Sequence, residues 1–267
     1  MKKIVKSNIY FVFILLAEIF LAGYLQYGLV AVGITDVRLR LFLAHTILFL
    51  LPAILFVFIT KNKFKEVFRL NKISLKQIGI LILITIACRP IMTACSAISV
   101  LFFPNSVGNF MTSISNTPFI ILFLLIAVMP AITEEVTLRG VVLSGYDDYP
   151  IVFSCIVNGI LFGIFHLDLQ QFLYAAVLGM VLAYVVRITN SIYSSMIIHF
   201  ITNGISVVLQ KIIYTFYPKA LETSSSVDMA SLDIMVKAQY IISYLLIAAL
   251  FGAIVVLLLR WLKKNSK

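Results

Sequence analysis

Charge is what this sequence has least of. Charged side chains are 12% of its 267 residues against 62% hydrophobic ones, whereas globular chains carry about a quarter and about a half. A soluble fold of this size has too much surface to cover with so few charges. The mean hydropathy of +1.08 agrees. A low charge fraction with many aromatics also excludes a disordered chain, and twelve glycines and seven prolines exclude a collagen-like fibre. Cysteine is equally sparse: Cys88, Cys95 and Cys155 all lie in apolar stretches, where a thiol behaves as a small core residue, and they form no disulfide framework. What remains is an all-α, polytopic transmembrane helical bundle, residues 1–267 forming a single membrane domain.

The net charge of +10 does not indicate nucleic acid. Lys and Arg gather at the ends of apolar runs, as in Lys2, Lys3, Lys6 and Arg260 to Lys267, where they set topology and attract anionic headgroups. The bilayer is the partner this pattern implies. The basic start resembles a signal peptide, but the apolar stretch from Ile9 to Val32 is too long for one and lacks a convincing cleavage site, so a retained first span is expected.

A hydrocarbon core of about 30 Å takes about 20 helical residues, which gives about eight spans, near 9–32, 40–59, 77–103, 118–144, 149–167, 171–188, 191–213 and 238–259. Long apolar runs without strand alternation must be helices, since every backbone polar group needs a partner in lipid. The tails and the loops after even-numbered spans, counted with Arg139 and Arg187 near the ends of two of those spans, hold fifteen of the 21 basic residues. Both termini are therefore expected in the cytoplasm, in a bacterial cell membrane by the look of the short Lys-rich loops. The loop 60–76 is expected as an amphipathic surface helix, and the Ser-rich loop 218–236 as a mobile external one.

An ionisable residue inside a span needs a partner or a task. Seven qualify: Glu18, His45, Arg89, Glu134, Glu135, His166 and His199. Adjacent Glu134 and Glu135 point about 100° apart on a helix. Glu135 and Arg139, four apart with the acid first, face each other, which leaves Glu134 free. Phe162 lies one turn before His166, and Gly163 lets a neighbouring helix approach. His199 and Asn203 share a face. Taken singly, each has a structural reading: a charge pair at a helix exit, an interfacial histidine, an interhelical hydrogen-bond pair. Together, on three successive helices, they point to a shared polar site. Glu18 and Arg89 lie at similar depths and are expected to pair. His45 has no evident partner.

Glu-Glu-x-x-x-Arg, Phe-x-x-x-His and His-x-x-x-Asn, in this order, resemble the CPBP (CAAX protease and bacteriocin-processing, or Abi) intramembrane proteases, whose eukaryotic member is the type II CAAX prenyl endopeptidase. The match covers residues 118–210, the expected catalytic core. It implies an endopeptidase acting on membrane-associated peptides or proteins, in bacteria with roles in bacteriocin processing and self-immunity. It implies catalytic Glu134, Glu135, Arg139, His166, His199 and Asn203. No Ser or Cys sits beside the histidines as a nucleophile, and Ser144, Ser154, Ser194 and Ser195 read as packing residues. A desolvated Glu134 assisted by His166 suits water activation, with His199 and Asn203 donating to the oxyanion. The alternative is metal-assisted hydrolysis, Zn2+ held by Glu134, His166 and His199. No cofactor is otherwise implied, and oligomeric state stays open. A competing function is a non-enzymatic immunity or regulatory protein that binds a peptide or partner in the same place. A proton-coupled carrier is a third, against which no repeat symmetry is visible. Along upright helices Glu134 would lie about 15–20 Å deep, His166 about 25 Å and His199 about 14 Å. Tilt, a kink at Pro130 or a late start of the fifth span must close that gap.

Overall fold

The computed structural model describes residues 2–217 and 231–266, and among them all regular structure is helical. Helix α1 is Lys3–Ala31, α2 Val37–Thr60, α3 the single turn Phe64–Val67, α4 Leu75–Ser99 and α5 Ser106–Ser113. Helix α6 is Phe119–Val142, α7 Ile151–Phe165, α8 Leu169–Thr189, α9 Ile192–Phe216 and α10 Ile234–Lys264. Seven of these are long and apolar enough to cross a membrane. The eighth expected span is α7, only 15 residues long. The polytopic helical bundle read from hydropathy is borne out.

Polar residues at helix starts satisfy orphan amides. Ser74 and Gln77 form a reciprocal capping box on α4, Asp36 caps α2 and Asp168 caps α8. Asn190, left-handed at φ 49°, ends α8 and turns the chain directly into α9. Helices α7 and α8 meet almost backbone to backbone. A Cβ added at Gly159 would lie 2.6 Å from the Ala176 carbonyl oxygen, and one at Gly163 2.8 Å from that of Phe172, so the close approach expected at Gly163 holds. Helix α10 packs along α4 with only Val255 and Leu262 buried.

The loop 60–76 differs from expectation: only Phe64–Val67 is helical. Its Arg69 and Asn71 are bonded to neighbouring loops. Arg69 pairs with Asp147 and donates to Asn190 Oδ1 at 3.3 Å. Asn71 donates to the Asn190 carbonyl at 2.7 Å, while Ser191 donates to that of Asn71. Phe68 is thereby pressed against Gly140 of α6. Most of the Ser-rich loop 218–236 lies outside the described residues. All three cysteines are buried and free.

Candidate active site

Helix α6 carries the first motif, and it is irregular around it. Pro130 has no N–H, so the carbonyl four residues back, that of Ile126, loses its α-helical donor. Wide π-helical turns occupy Leu124–Val128 and Val136–Val142, on either side of Glu134 and Glu135. Side chains of neighbouring helices donate to carbonyls of this irregular stretch. Asn203 Nδ2 of α9 donates to the Ile126 carbonyl at 3.0 Å. Asn158 Nδ2 of α7 donates to that of Leu138 at 2.9 Å. The α6 backbone is thus fixed by the helices that bring the other motifs.

The two glutamates separate as their 100° offset predicts. Glu135 and Arg139 are both 0% exposed, with Arg139 Nη1 donating to Glu135 Oε1 at 3.0 Å. The Arg139 guanidinium carbon stands 4.1 Å from the centre of the Phe162 ring, a cation–π contact, and Nη2 donates to the Gly179 carbonyl at 3.3 Å. His199 Nδ1 lies 2.9 Å from the same Glu135 oxygen. A carboxylate paired with arginine can only accept, so His199 Nδ1 carries the proton. This is a carboxylate–histidine pair that fixes ring orientation and leaves Nε2 as the variable nitrogen. Nε2 faces Glu134 Oε2 at 3.9 Å, beyond direct hydrogen-bond range. Glu134 is 12% exposed along its side chain, and Oε2 accepts no hydrogen bond from the described protein.

His166 caps the C-terminus of α7, and its Nδ1 donates to the Phe162 carbonyl at 2.8 Å. In the neutral ring that bond leaves the Nε2 lone pair free. Phe162 stands edge-on to both histidines, with ring centres 4.7 Å from His166 and 5.8 Å from His199. The structure therefore gathers Glu134, Glu135, Arg139, Phe162 and His199. His166 and Asn203 flank them, each bonded to a backbone carbonyl, and His166 touches neither carboxylate. The three donors expected for Zn2+ are not gathered: among the described residues no three His, Cys, Asp or Glu side chains form a metal-ligand set. Surface hollows of about 330 Å³ beside Val5 and Val12 and about 300 Å³ beside Asp36 and Thr117 touch no motif residue.

Two residues from outside the motifs reach this place. His45 Nδ1 lies 3.2 Å from Thr133 Oγ1. Because that hydroxyl donates to the Met129 carbonyl, it accepts from His45, and the histidine thought to lack a partner has one. Both His45 and Glu18 lie within electrostatic range of Glu134. The expected Glu18–Arg89 pair is corrected: Arg89 Nη1 donates to Ser206 Oγ at 2.9 Å and to the Thr202 carbonyl at 3.4 Å, both on α9. Counting along a span gives depth but not the direction a side chain faces, and these two face different helices. Both His45 and Glu18 stood out in the sequence only as ionisable residues in apolar runs.

A buried, partnered Glu–Arg–His constellation beside an uncommitted glutamate thus lies inside a helical bundle suited to a membrane. Residues 116–205 match the family described as type II CAAX prenyl endopeptidase Rce1-like. That stretch runs from the start of α6 into α9 and contains all three motifs, so the resemblance read from them is borne out. No curated protein and no solved structure matches the chain.

Proposed function

We propose that this protein is an integral membrane endopeptidase that hydrolyses membrane-associated peptides or proteins with water activated by Glu134. One observation carries the reading: of two adjacent carboxylates, Glu135 is committed to Arg139 and His199 while Glu134 Oε2 is uncommitted opposite His199 Nε2. In the reaction Glu134 takes a proton from water as its oxygen attacks the scissile carbonyl, and that proton passes to the leaving amine. His199 in its imidazolium form donates from Nε2 to the developing oxyanion, steadied by Glu135 on the other nitrogen. Asn203 adds the second N–H of its amide, and His166 Nε2 accepts a hydrogen bond from the water.

The family's name points to prenylated CAAX proteins. The short Lys-rich loops favour a bacterial cell membrane with both termini cytoplasmic, where peptide leaders and bacteriocin self-immunity are the fitting roles. No nucleic acid is involved. The Zn2+ alternative predicts activity lost to a chelator and restored by the metal, whereas the glutamate mechanism predicts no response. One observation favours a second reading, a binder rather than an enzyme: Asn203 and His166 already bond to backbone carbonyls. Membrane proteomes of cells carrying the intact protein or Glu134→Gln separate the two. New peptide termini that depend on Glu134 support hydrolysis. Unchanged termini with biological activity retained favour the binder.

A further inference from the structure

Arg89 is an arginine inside a span with no carboxylate paired to it among the described residues. It lies about 21 Å along α4 from Leu75 and about 15 Å from Ser99 at 1.5 Å per residue, too deep to meet a lipid headgroup layer in a hydrocarbon core of about 30 Å. Among the described residues it forms no ion pair, in contrast to Arg139. Only Nη1 is bonded, to Ser206 Oγ and the Thr202 carbonyl. Nε and Nη2 make no hydrogen bond with the described residues, yet neither is sealed off in the interior. An unpaired charge at this depth is costly and marks a place where an anion arrives.

The position on α9 says which anion. His199, Asn203 and Ser206 follow the i, i+4, i+7 spacing of one helical stripe. Arg89 is bonded to Ser206, so it stands at the far end of the stripe that begins at His199. Seven residues of helix are about 10 Å, which an extended peptide covers in about three residues at roughly 3.3 Å each. We propose that Arg89 anchors a carboxylate of the bound peptide about three residues beyond the bond held at His199. The free Nε and Nη2 are the pair that binds a carboxylate in a bidentate fork. This deepens the endopeptidase reading and rests on it. The carboxylate comes from the peptide's C-terminus or from an acidic side chain.

The test uses the full chain in phosphatidylcholine liposomes and fluorescent, N-palmitoylated peptides that differ only at the anion. One pair ends in a free carboxylate or a carboxamide; a second, amidated pair carries Glu or Gln at the corresponding position. Binding is measured on Glu134→Gln protein and cleavage on the unaltered enzyme. The free acid, or the Glu peptide, should bind about 10- to 100-fold more tightly than its neutral partner, the range of a charged hydrogen bond. Arg89→Gln should abolish that preference through KM with kcat little changed, and Arg89→Lys should keep part of it. The anchor is overturned by equal binding of both members of each pair, by a loss in Arg89→Gln that falls equally on both, or by a preference that disappears when anionic lipid is added. Should Arg89→Gln fail to accumulate, the acid–amide comparison on Arg89 itself decides. Preferential binding without cleavage sinks the endopeptidase reading and keeps the anchor; cleavage without preference does the reverse.

Discussion

Replacing Glu135 by Ala strands the Arg139 guanidinium in a place where neither side chain is exposed. Removing one partner of such a pair costs about 3–5 kcal/mol, since the other charge stays buried. Arg139 keeps the Phe162 ring at 4.1 Å and the Gly179 carbonyl at 3.3 Å, which places the expected loss at the lower end, about 3 kcal/mol. That is roughly a 10²-fold shift in the unfolding equilibrium. Unfolding in detergent titrated with dodecyl sulfate reads this directly, and the amount accumulating in membranes should fall with it. Glu135→Gln, which retains an acceptor oxygen, should lie between. An apolar pair, Glu135→Leu with Arg139→Met, should recover most of the stability and no activity. The exchange Glu135→Arg with Arg139→Glu should restore protein level only in part, because it turns a guanidinium toward His199 Nδ1, now 2.9 Å from Glu135. A Glu135→Ala protein that accumulates and unfolds like the unaltered one would refute the reasoning.

Asn203→Ala should lower turnover about 10²- to 10³-fold while peptide binding survives, the usual loss for one oxyanion donor; wild-type turnover would leave Asn203 only its helix contact. Pro130→Ala returns an N–H to the Ile126 carbonyl that Asn203 now serves, so the stability cost of Asn203→Ala should shrink in that background, and a double-mutant cycle with no coupling contradicts the assignment. In the turn between α7 and α8, partial burial raises the Asp168 carboxyl, but hydrogen bonds from Ser106, Gln171 and the Gln170 and Gln171 amides outweigh it and hold it below its ordinary value of 3.8. A depressed carboxylate stabilises the fold above its unfolded pKa and loses that contribution as pH falls through the folded value. Amide exchange in α5, which Ser106 clips to Asp168, should therefore accelerate below about pH 4, and Asp168→Asn should show the fast exchange already at neutral pH. Unchanged exchange in either condition counts against the clip.

Helical periodicity and apolar length carried most of the architecture, because a bilayer leaves few alternatives. The Glu135–Arg139 pair was legible from its four-residue spacing, and the face shared by His199 and Asn203 from theirs. The α6 π turns were not, and the side chains of α7 and α9 that bond to their carbonyls are distant in sequence. The same limit hid His45: its partner Thr133 is 88 residues away, and nothing local distinguishes it from an interfacial histidine. Glu18 and Arg89 were mispaired because equal depth says nothing about direction. Loop 60–76 formed a clasp instead of a surface helix because Asp147, Asn190 and Ser191 offered its Arg69 and Asn71 partners that lie far off in sequence.

The central claim is that Glu134, not its neighbour, activates water. It is tested most directly with purified protein in liposomes, a peptide identified from the Glu134-dependent termini, and hydrolysis followed in ¹⁸O-labelled water. The unaltered enzyme should place one labelled oxygen in the new carboxyl group. Glu134→Gln should accumulate and bind peptide normally, with turnover reduced by about 10²- to 10⁴-fold, the usual worth of a general base. Substantial hydrolysis by Glu134→Gln, with none by a well-folded Glu135→Gln, would contradict the account and reverse the two carboxylates.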